Sequence, residues 1–485
     1  MEDNKPEKKV FKNVGVDYHT DGKIVLPEGM DLKTAQEWLA TIEQEDNEWT
    51  AFSEETGAFL LDGARALAVA INRHAGHLRT VPTQSFFGQT PPMMVTLEID
   101  HLGNTVSIPW GKIEVPGITG YFNTSFSVSN GRVHFRVIGK CMKRDLKKVQ
   151  RIFELMREEI KANSIYRGKA FSINLEFDPR NPAENPPKFI NHTKRKKSDL
   201  IFDRLTTERL QTSLFGPIEQ TQNCRSVGIP LKRGILLHGS YGVGKSELAT
   251  VMANVACANG WTYIYLTDAS NLVNAYAVAR FYSPAVIFCE DVDKVTSGDR
   301  NSEMDSLLNC MDGIESKSEE IVTVFTTNSV SSMHPAFMRP GRLDDVIEIK
   351  APDKDTAIRL VKLFAGETLD QNSDLDKIGN VLAGQVPALI REVVERTRLA
   401  AMVRTGSTSF RINHNDIEVA SDAMETHRRF INGQQKSLPP QLIERIGRGA
   451  LGALLRQSDT IQVDGKLYSL KEAIDSGLVA DPNKD

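Results

Sequence analysis

A glycine-rich stretch beginning at Gly234, GILLHGSYGVGKSELA, constrains this chain of 485 residues more than any other feature. It contains the pattern GxxxxGK[ST], which runs from Gly239 to Ser246 between the apolar run RGILLH and the helix-like SELATVMANVACANG. A buried strand, a glycine-rich loop and a helix, in that order, are the context that this motif requires for binding phosphate groups. The stretch therefore predicts a parallel α/β sheet that holds a nucleoside triphosphate at one of its loops.

The residue types of this loop follow from the chemistry of a triphosphate, whose oxygens need many hydrogen-bond donors at close range. Glycines let the backbone curl so that successive N–H groups point inward, and the helix N-terminus adds a favourable partial charge. The motif assigns Lys245 to the β- and γ-phosphates and the Ser246 hydroxyl to Mg²⁺. We predict ATP and Mg²⁺ as cofactors, with the nucleotide bound by Gly239, Ser240, Tyr241, Gly242, Val243, Gly244, Lys245, Ser246 and Glu247.

Two carboxylates follow a later apolar strand of the same region, in YSPAVIFCEDVDKV. The apolar residues Val286 to Cys289 lead directly into Glu290 and Asp291. A strand that delivers carboxylates beside a phosphate loop provides what Mg²⁺ binding and water activation require. We predict catalytic roles for both carboxylates and a Mg²⁺ contact for Glu290. Taken alone, the stretch also fits a strand followed by a solvated acidic turn.

A polar residue and two arginines come after the next apolar strand. The run EIVTVFTTNSV reaches Asn328, a neutral side chain that is suited to orienting a water molecule. Arg339 and Arg342 then flank a Pro-Gly pair in SSMHPAFMRPGRLDDVIEI. Arginines in a tight loop after the catalytic strands suggest fingers that act in trans and stabilise charge on a γ-phosphate. Ordinary surface arginines are the alternative, which the series of motifs disfavours.

The part of the chain before the phosphate loop combines two kinds of apolar pattern, which predict an α+β domain over residues 25–180. Asp31 is placed to cap a first helix, and a second helix-like segment ends at Gly76. Runs such as MMVTLEID and RVHFRVIGK then alternate apolar and polar residues, and Asn130-Gly131 is a strong signal for a hairpin turn. No catalytic motif is visible in this part of the chain.

Composition favours a cytoplasmic globular protein. The chain is 40% hydrophobic and 25% charged, and it has no apolar run of the length that crosses a membrane. Its charged start, MEDNKPEKKVFKN, is not expected to be a secretory signal. Five scattered cysteines without a CxxC pair favour reduced thiols over a disulfide framework or a zinc site. A net charge of −4 argues against nucleic-acid binding by the chain as a whole.

Together these motifs resemble the AAA family of AAA+ ATPases over residues of about 200–425. VGIPLKRGILLHGSYGVGKSELATVMAN looks like the family's phosphate loop with its approach, and SLLNCMDGIES, TVFTTNSV and MHPAFMRPGRLDDVIEI look like its second region of homology. The helical region after Ala351 would then be the family's small lid domain. GQVPALIREVV looks like the sensor 2 segment, with Pro387 or Ala388 where many AAA+ relatives carry arginine.

The resemblance implies that Lys245 and Ser246 contact nucleotide and Mg²⁺ and that Asn328 is sensor 1. Arg339 and Arg342 would be arginine fingers that act on a neighbouring subunit, which implies a homo-oligomeric ring, usually a hexamer. The expected divisions of the chain are a flexible N-terminus (1–24), the α+β N-terminal domain (25–180), a basic proline-rich linker (181–200), the large ATPase domain (201–350), the helical lid (351–431) and a C-terminal tail (432–485).

The chain departs from the family pattern in two places. It has Glu290-Asp291 where the family usually has Asp-Glu, so the second carboxylate is one methylene shorter and its reach to the attacking water changes. Asp293 is a third carboxylate nearby that is available to assist. The segment between YIYLTDAS and VIFCEDVD is also shorter than usual. Tyr276 in this segment is either an aromatic pore-loop residue that grips a polypeptide or a packed residue of the preceding helix.

From these features we predict an ATP-hydrolysing ring that remodels, unfolds or translocates a protein client selected by the N-terminal domain. One alternative is a nucleic-acid-acting AAA+ ATPase, supported by the basic run Lys194-Arg195-Lys196-Lys197 and by HRRFINGQQK. Another is a nucleotide-bound assembly scaffold with little hydrolysis, which the Glu290-Asp291 order suggests. No membrane partner is expected.

Overall fold

The computed structural model describes residues 31–85, 88–129, 132–173, 186–267, 269–293, 302–312, 319–339, 341–424, 460–463 and 466–469. The chain divides into two compact units, which separate between Lys350 and Ala351. Among the described residues, none of the helices combines the length and the apolar character that crossing a lipid bilayer needs. The expected flexible N-terminus, the Asn130-Gly131 turn and most of the expected C-terminal tail lie outside the described residues.

The first part of unit one packs helices on antiparallel strands. Its elements are α1 (Leu32–Asp46), β1 (Trp49–Glu55), α2 (Leu60–Ala75), β2 (Arg79–Val81), β3 (Thr83–Ser85), β4 (Gly88–Thr90), β5 (Met93–Glu98), β6 (Thr105–Trp110), β7 (Lys112–Glu114), β8 (Gly120–Ser129), β9 (Arg132–Met142) and α3 (Leu146–Asn163). One sheet has the order β1-β9-β8-β7-β2, while β3 pairs with β4 and β5 with β6. The predicted cap of α1 is confirmed, since the Asp31 carboxylate accepts a hydrogen bond from the Thr34 amide at 2.9 Å.

The second part of unit one is a mainly parallel sheet covered by helices. Its elements are β10 (Ala170–Ser172), β11 (Lys188–Phe189), α4 (Arg204–Leu210), α5 (Gly216–Glu219), α6 (Thr221–Val227), β12 (Arg233–His238), α7 (Lys245–Ala258), β13 (Thr262–Leu266), α8 (Leu272–Phe281), β14 (Ala285–Cys289), α9 (Ser302–Asp312), β15 (Ile321–Thr327) and β16 (Asp345–Glu348). The strand order is β11-β10-β13-β14-β15-β12-β16, and β11 alone among these is antiparallel to its neighbour. This is the α/β P-loop arrangement that the sequence predicted.

The strand β10 lies in this parallel sheet, although the sequence pattern grouped it with the N-terminal domain up to residue 180. Its residues Ala170 to Ser172 pair in parallel with Tyr263 to Tyr265 of β13. Since β10 comes soon after α3, the N-terminal part and the parallel sheet are continuous, and one apolar core runs through both. The sheet therefore begins before the boundary at residue 180 that the sequence suggested.

A buried polar group, here called the Asp62 cluster, links α2 and α3 to the end of α8. The fully buried Asp62 carboxylate accepts hydrogen bonds from the Ser164 hydroxyl at 2.7 Å and the Ile165 amide at 2.9 Å. It also accepts one from the Tyr282 hydroxyl at 3.2 Å, and the oxygen of Tyr282 accepts a bond from the Phe59 amide at 3.0 Å. Burial raises the pKa of the Asp62 carboxyl, and these donors counteract that effect.

The second unit, over its described residues 351–424, is a group of helices, and a short hairpin follows farther along the chain. The elements are α10 (Lys354–Ala365), α11 (Leu375–Leu382), α12 (Pro387–Thr405), α13 (His414–Ala423), β17 (Thr460–Val463) and β18 (Lys466–Ser469). The helices bury apolar side chains such as Leu360, Ile390 and Ile417. The helix α12 begins at Pro387, where the missing N–H costs nothing because the first turn of a helix leaves its donors free.

We expect Tyr282→Phe to lower the stability of the chain, because it removes a hydroxyl that donates to the buried Asp62 carboxylate and accepts from the partly buried Phe59 amide. A buried polar group that loses its hydrogen-bond partner costs about 1–3 kcal/mol. Tyr166→Phe is the matched control. The Tyr166 ring lies 6.2 Å from the Tyr282 ring, but its buried hydroxyl has no hydrogen-bond partner among the described residues. Thermal unfolding should show a lower midpoint for Tyr282→Phe only, and equal midpoints would contradict the role of the Asp62 cluster.

Candidate functional site

The carboxyl ends of three neighbouring strands bring the predicted site residues to one edge of the sheet. The strand β15 pairs in parallel with β12 on one side and with β14 on the other. The phosphate loop follows β12, Glu290 and Asp291 follow β14, and Asn328 follows β15. Ligands of open α/β sheets bind beyond the carboxyl ends of the strands, so this edge is the expected place for a nucleotide.

Glycines are needed in the phosphate loop for two separate reasons. A Cβ atom on Gly239 would lie 2.4 Å from the carbonyl oxygen of Ile349, too close for any side chain. Gly242 and Gly244 have φ values of 80° and 107°, in the left-handed region that side chains disfavour. The loop is thus held tightly against its neighbours while its backbone turns toward the start of α7.

Lys245, the first residue of α7, lies at the centre of the site. Its ammonium donates hydrogen bonds to the carbonyls of Gly239 at 2.6 Å and Ser240 at 3.0 Å, and to the side-chain oxygen of Asn328 at 2.8 Å. Burial lowers the pKa of Lys245, and the nearby carboxylates, chiefly that of Asp291, oppose this shift. These three contacts hold the positive charge of Lys245 over the phosphate loop.

Ser246 and Glu290 supply a pair of oxygen ligands that fits Mg²⁺. The Ser246 hydroxyl donates a hydrogen bond to the Glu290 carboxylate at 2.8 Å, so the two oxygens already face each other. Within the described parts of the chain, His, Cys, Asp and Glu side chains nowhere gather in a group of three or more that could hold a metal ion. Mg²⁺ commonly binds through one or two protein oxygens together with substrate phosphates and water, and the oxygens of Ser246 and Glu290 fit that pattern.

Asn328 connects the lysine with one of the carboxylates. Its side-chain nitrogen donates a hydrogen bond to Asp291 at 3.2 Å, while its oxygen accepts the bond from Lys245. Asp293, the third carboxylate, instead accepts a hydrogen bond from the Thr327 hydroxyl at 2.8 Å. Of the two carboxylates that follow Glu290, it is therefore Asp291 that faces Asn328.

The two predicted arginine fingers lie in a turn after β15, and the contacts described for them are within that turn. Arg339 is exposed, and the Arg342 guanidinium donates a hydrogen bond to the Ala336 carbonyl. Tyr241 of the phosphate loop is also exposed, with 74% of its surface accessible. The structure thus brings together the loop, Lys245, Ser246, both carboxylates and Asn328.

Two residues of the basic run, which the sequence interpretation did not assign to the site, form ion pairs with the ATPase part. Arg195 of the basic run forms an ion pair with Glu247, one residue after Ser246, at 2.8 Å. Lys197 pairs with Glu219, and its ammonium lies 4.7 Å from the centre of the Phe215 ring. No local pattern could have revealed these pairings, because their partners are 22 to 52 residues away in the sequence. Two of the four basic residues are thus engaged with the ATPase part.

Tyr276 is not a pore-loop residue in this structure. It lies inside α8, is 98% buried, and its hydroxyl forms a hydrogen bond with that of Thr323 at 2.9 Å. The hypothesis that Tyr276 grips a polypeptide is therefore wrong, and the alternative that it packs in the helix before β14 is correct. An aromatic ring that is buried against a core strand has no access to a client.

Comparison with known proteins agrees with this geometry. Residues 235–351 match the family model described as "ATPase family associated with various cellular activities (AAA)", so this stretch is an AAA ATPase domain with an α/β P-loop fold. Similar proteins include the ATPase family gene 2 protein of Saccharomyces cerevisiae, which is 31% identical over 44% of this chain and 31% of its own length. A proteasome-activating nucleotidase of Methanococcus vannielii is 29% identical over 38% of this chain and 50% of its own length.

A third relative is the ATP-dependent zinc metalloprotease FtsH 2 of Thermoanaerobacter sp.. It is 29% identical over 46% of this chain and 45% of its own length. The matched region spans between about a third and a half of these three relatives.

We expect Lys245→Ala to weaken ATP binding by about 100-fold or more, because it removes a charged donor whose hydrogen bonds each contribute about 1.5–3 kcal/mol. Lys33→Ala is the control, since Lys33 lies on α1 with 86% of its side chain exposed. Calorimetric titration with ATP and Mg²⁺ measures both variants. Wild-type affinity in Lys245→Ala would remove the phosphate-loop assignment.

Proposed function

We propose that this chain is an ATP hydrolase that assembles into a homo-oligomeric ring, a hexamer by family resemblance, and that it remodels, unfolds or translocates a protein client. The observation that carries the proposal is the contact series from Lys245 through Asn328 to Asp291. The Lys245 ammonium is two hydrogen bonds away from the Asp291 carboxylate, which supports roles for them in phosphate binding and in accepting a proton from water. The AAA ATPase domain over residues 235–351 supports the same activity.

In the proposed mechanism, the amides of the phosphate loop and the Lys245 ammonium bind the triphosphate of ATP. Ser246 and Glu290 would hold Mg²⁺, which when bound neutralises charge on the phosphate oxygens. Asn328 orients the attacking water, and Asp291 accepts its proton as the new bond to the γ-phosphorus forms and the bond to ADP breaks. The ammonium of Lys245 remains on the phosphate oxygens as their charge shifts toward the leaving group.

The proposed ring follows from the position of the arginines. Arg339 is exposed, and the Arg342 guanidinium donates a hydrogen bond to the Ala336 carbonyl in the same turn. An arginine supplied in trans would add the positive charge that stabilises the transferred phosphoryl group. We therefore propose that Arg339 and Arg342 act on the nucleotide of a neighbouring subunit, and that the helical region after Ala351 is the small lid domain of the family.

A protein client is favoured over nucleic acid by two observations. One relative is named a proteasome-activating nucleotidase and another an ATP-dependent zinc metalloprotease, and both names refer to machinery that acts on proteins. In this chain, ion pairs engage Arg195 and Lys197 of the basic run that motivated the nucleic-acid alternative. We place client recognition on the N-terminal part, where large apolar side chains such as Met94 and Leu102 are exposed. The free thiols of the cysteines agree with a cytoplasmic location.

The trans action of the fingers is tested by mixing two variants that are inactive alone. Arg342→Ala keeps its own catalytic carboxylate, and Asp291→Asn keeps its own arginines. Each variant alone should lose about 10³-fold in ATP turnover. In an equimolar mixture, about a quarter of the sites would join an intact carboxylate to a neighbour's intact arginine, because subunits of a head-to-tail ring combine at random. We therefore expect roughly a quarter of wild-type turnover.

The matched control is a mixture of Asp291→Asn with Lys245→Ala, which are two defects in the same half of the site. Every subunit in that mixture carries one of the two defects in its own site, so no site is complete. Turnover should therefore stay at the level of the separate variants. If turnover recovers in neither mixture, the result contradicts arginine fingers that act in trans. Full activity of Arg342→Ala alone would exclude Arg342 as a finger.

A further inference from the structure

Asp291 has an unusual backbone conformation for a residue other than glycine. Its φ is 50°, and among the described residues it is the one non-glycine residue with a positive φ. The left-handed region is disfavoured for side-chain-bearing residues, and aspartate and asparagine tolerate it better than longer residues do. Such a conformation persists only where the surrounding structure holds it in place. The question is therefore which contacts hold Asp291.

Two such contacts come from one residue, Thr326 of β15, through its side-chain hydroxyl and its main-chain carbonyl. The Asp291 amide donates a hydrogen bond to the Thr326 hydroxyl at 3.2 Å. The next amide, that of Val292, donates to the Thr326 carbonyl at 3.0 Å. Thr326 is 2% exposed, so water does not compete readily for these bonds. Two consecutive amides are thus fixed by a single buried residue immediately beyond the paired part of β14 and β15.

This conformation matters for the direction of the carboxylate. The chain has aspartate where the resemblance leads one to expect glutamate, so the carboxylate is one methylene closer to the backbone. The Asp291 carboxylate nevertheless reaches the side chain of Asn328, whose nitrogen donates to it at 3.2 Å. A turn of the backbone away from the extended conformation of β14 is a way to redirect a short side chain that cannot extend farther.

We propose that Thr326 is a positioning residue for ATP hydrolysis, which holds the left-handed backbone at Asp291 and thereby directs its short carboxylate toward Asn328. This inference rests on the proposed function, since it assigns Asp291 the role of proton acceptor. Thr326 does not contact the substrate in this account and acts through Asp291. It differs from Thr327, whose hydroxyl bonds to Asp293 instead.

The first test replaces the hydroxyl while keeping the shape. We expect Thr326→Val to lower kcat by about 10- to 100-fold, a part of what general-base catalysis typically contributes, with KM for ATP changed less than about twofold. Thr326→Ser retains the oxygen and should recover most of the activity. Thr323→Val is the matched control, because Thr323 lies on the same strand, is equally buried, and bonds through its hydroxyl to Tyr276. It should leave kcat within about twofold of wild type.

A double-mutant cycle with Asp291→Glu distinguishes positioning from a loss of packing. In the wild-type background the longer glutamate must adopt the disfavoured left-handed backbone, so its activity should fall. In the Thr326→Val background the Asp291 amide loses the hydroxyl that holds it, while the Val292 amide keeps its bond to the backbone carbonyl at position 326. Asp291→Glu should then lower kcat by a clearly smaller factor or raise it. Additive effects would mean that Thr326 acts independently of Asp291 and would overturn the inference.

The outcomes separate this inference from the proposed function. A wild-type chain without ATP turnover contradicts the proposed function, and the inference falls with it. A wild-type chain that hydrolyses ATP and loses activity in Asp291→Asn, but not in Thr326→Val, supports the function and overturns only the role of Thr326. If Thr326→Val does not fold, Thr326→Ala takes its place in the same comparison. In that case kcat of Thr326→Ser, which keeps the hydroxyl, is compared with kcat of Thr326→Ala, which lacks it. Equal values would contradict the inference.

Discussion

The hydrogen bond from the Lys245 ammonium to the Asn328 side chain is the contact on which the site depends. It joins the first residue of α7 to the end of β15, so it forms only if β12 and β15 are neighbours in the sheet. Through Asn328 the same contact continues to Asp291. A glycine loop alone binds phosphate, but the addition of a carboxylate at a fixed place beside it makes hydrolysis possible.

The site is built on the parallel sheet, and the N-terminal part shares one apolar core with that sheet. The strand β10 joins the N-terminal part to the parallel sheet, and the Asp62 cluster ties the same part to the end of α8, directly before β14. Because Glu290 and Asp291 directly follow β14, the N-terminal part is connected to the two carboxylates by a short covalent and hydrogen-bonded path. A client bound there would thus act on the ATPase through packed structure rather than through a flexible tether.

The sequence predicted the features whose physical cause is local. The glycines, Lys245 and Ser246 lie within the eight residues from Gly239 to Ser246, and the hydrogen-bonding needs of a triphosphate explain each of them. The order of strand, loop and helix predicts the P-loop sheet. It did not predict that β10 enters this sheet, that Arg195 pairs with Glu247, or that Thr326 fixes Asp291, because each depends on segments that meet only in the folded chain. The short segment around Tyr276 allowed two interpretations, and burial against Thr323 decided between them.

We propose that one chain supplies the carboxylate and that a neighbour completes the site for ATP hydrolysis. This is tested by steady-state ATP turnover per subunit of the wild-type chain, measured over a wide dilution series beside Asp291→Asn. We expect turnover that rises with protein concentration to a plateau as rings assemble, and that is lost at every concentration in the variant. Turnover per subunit that stays constant down to concentrations where sizing shows only monomers, or that persists in Asp291→Asn, would contradict it.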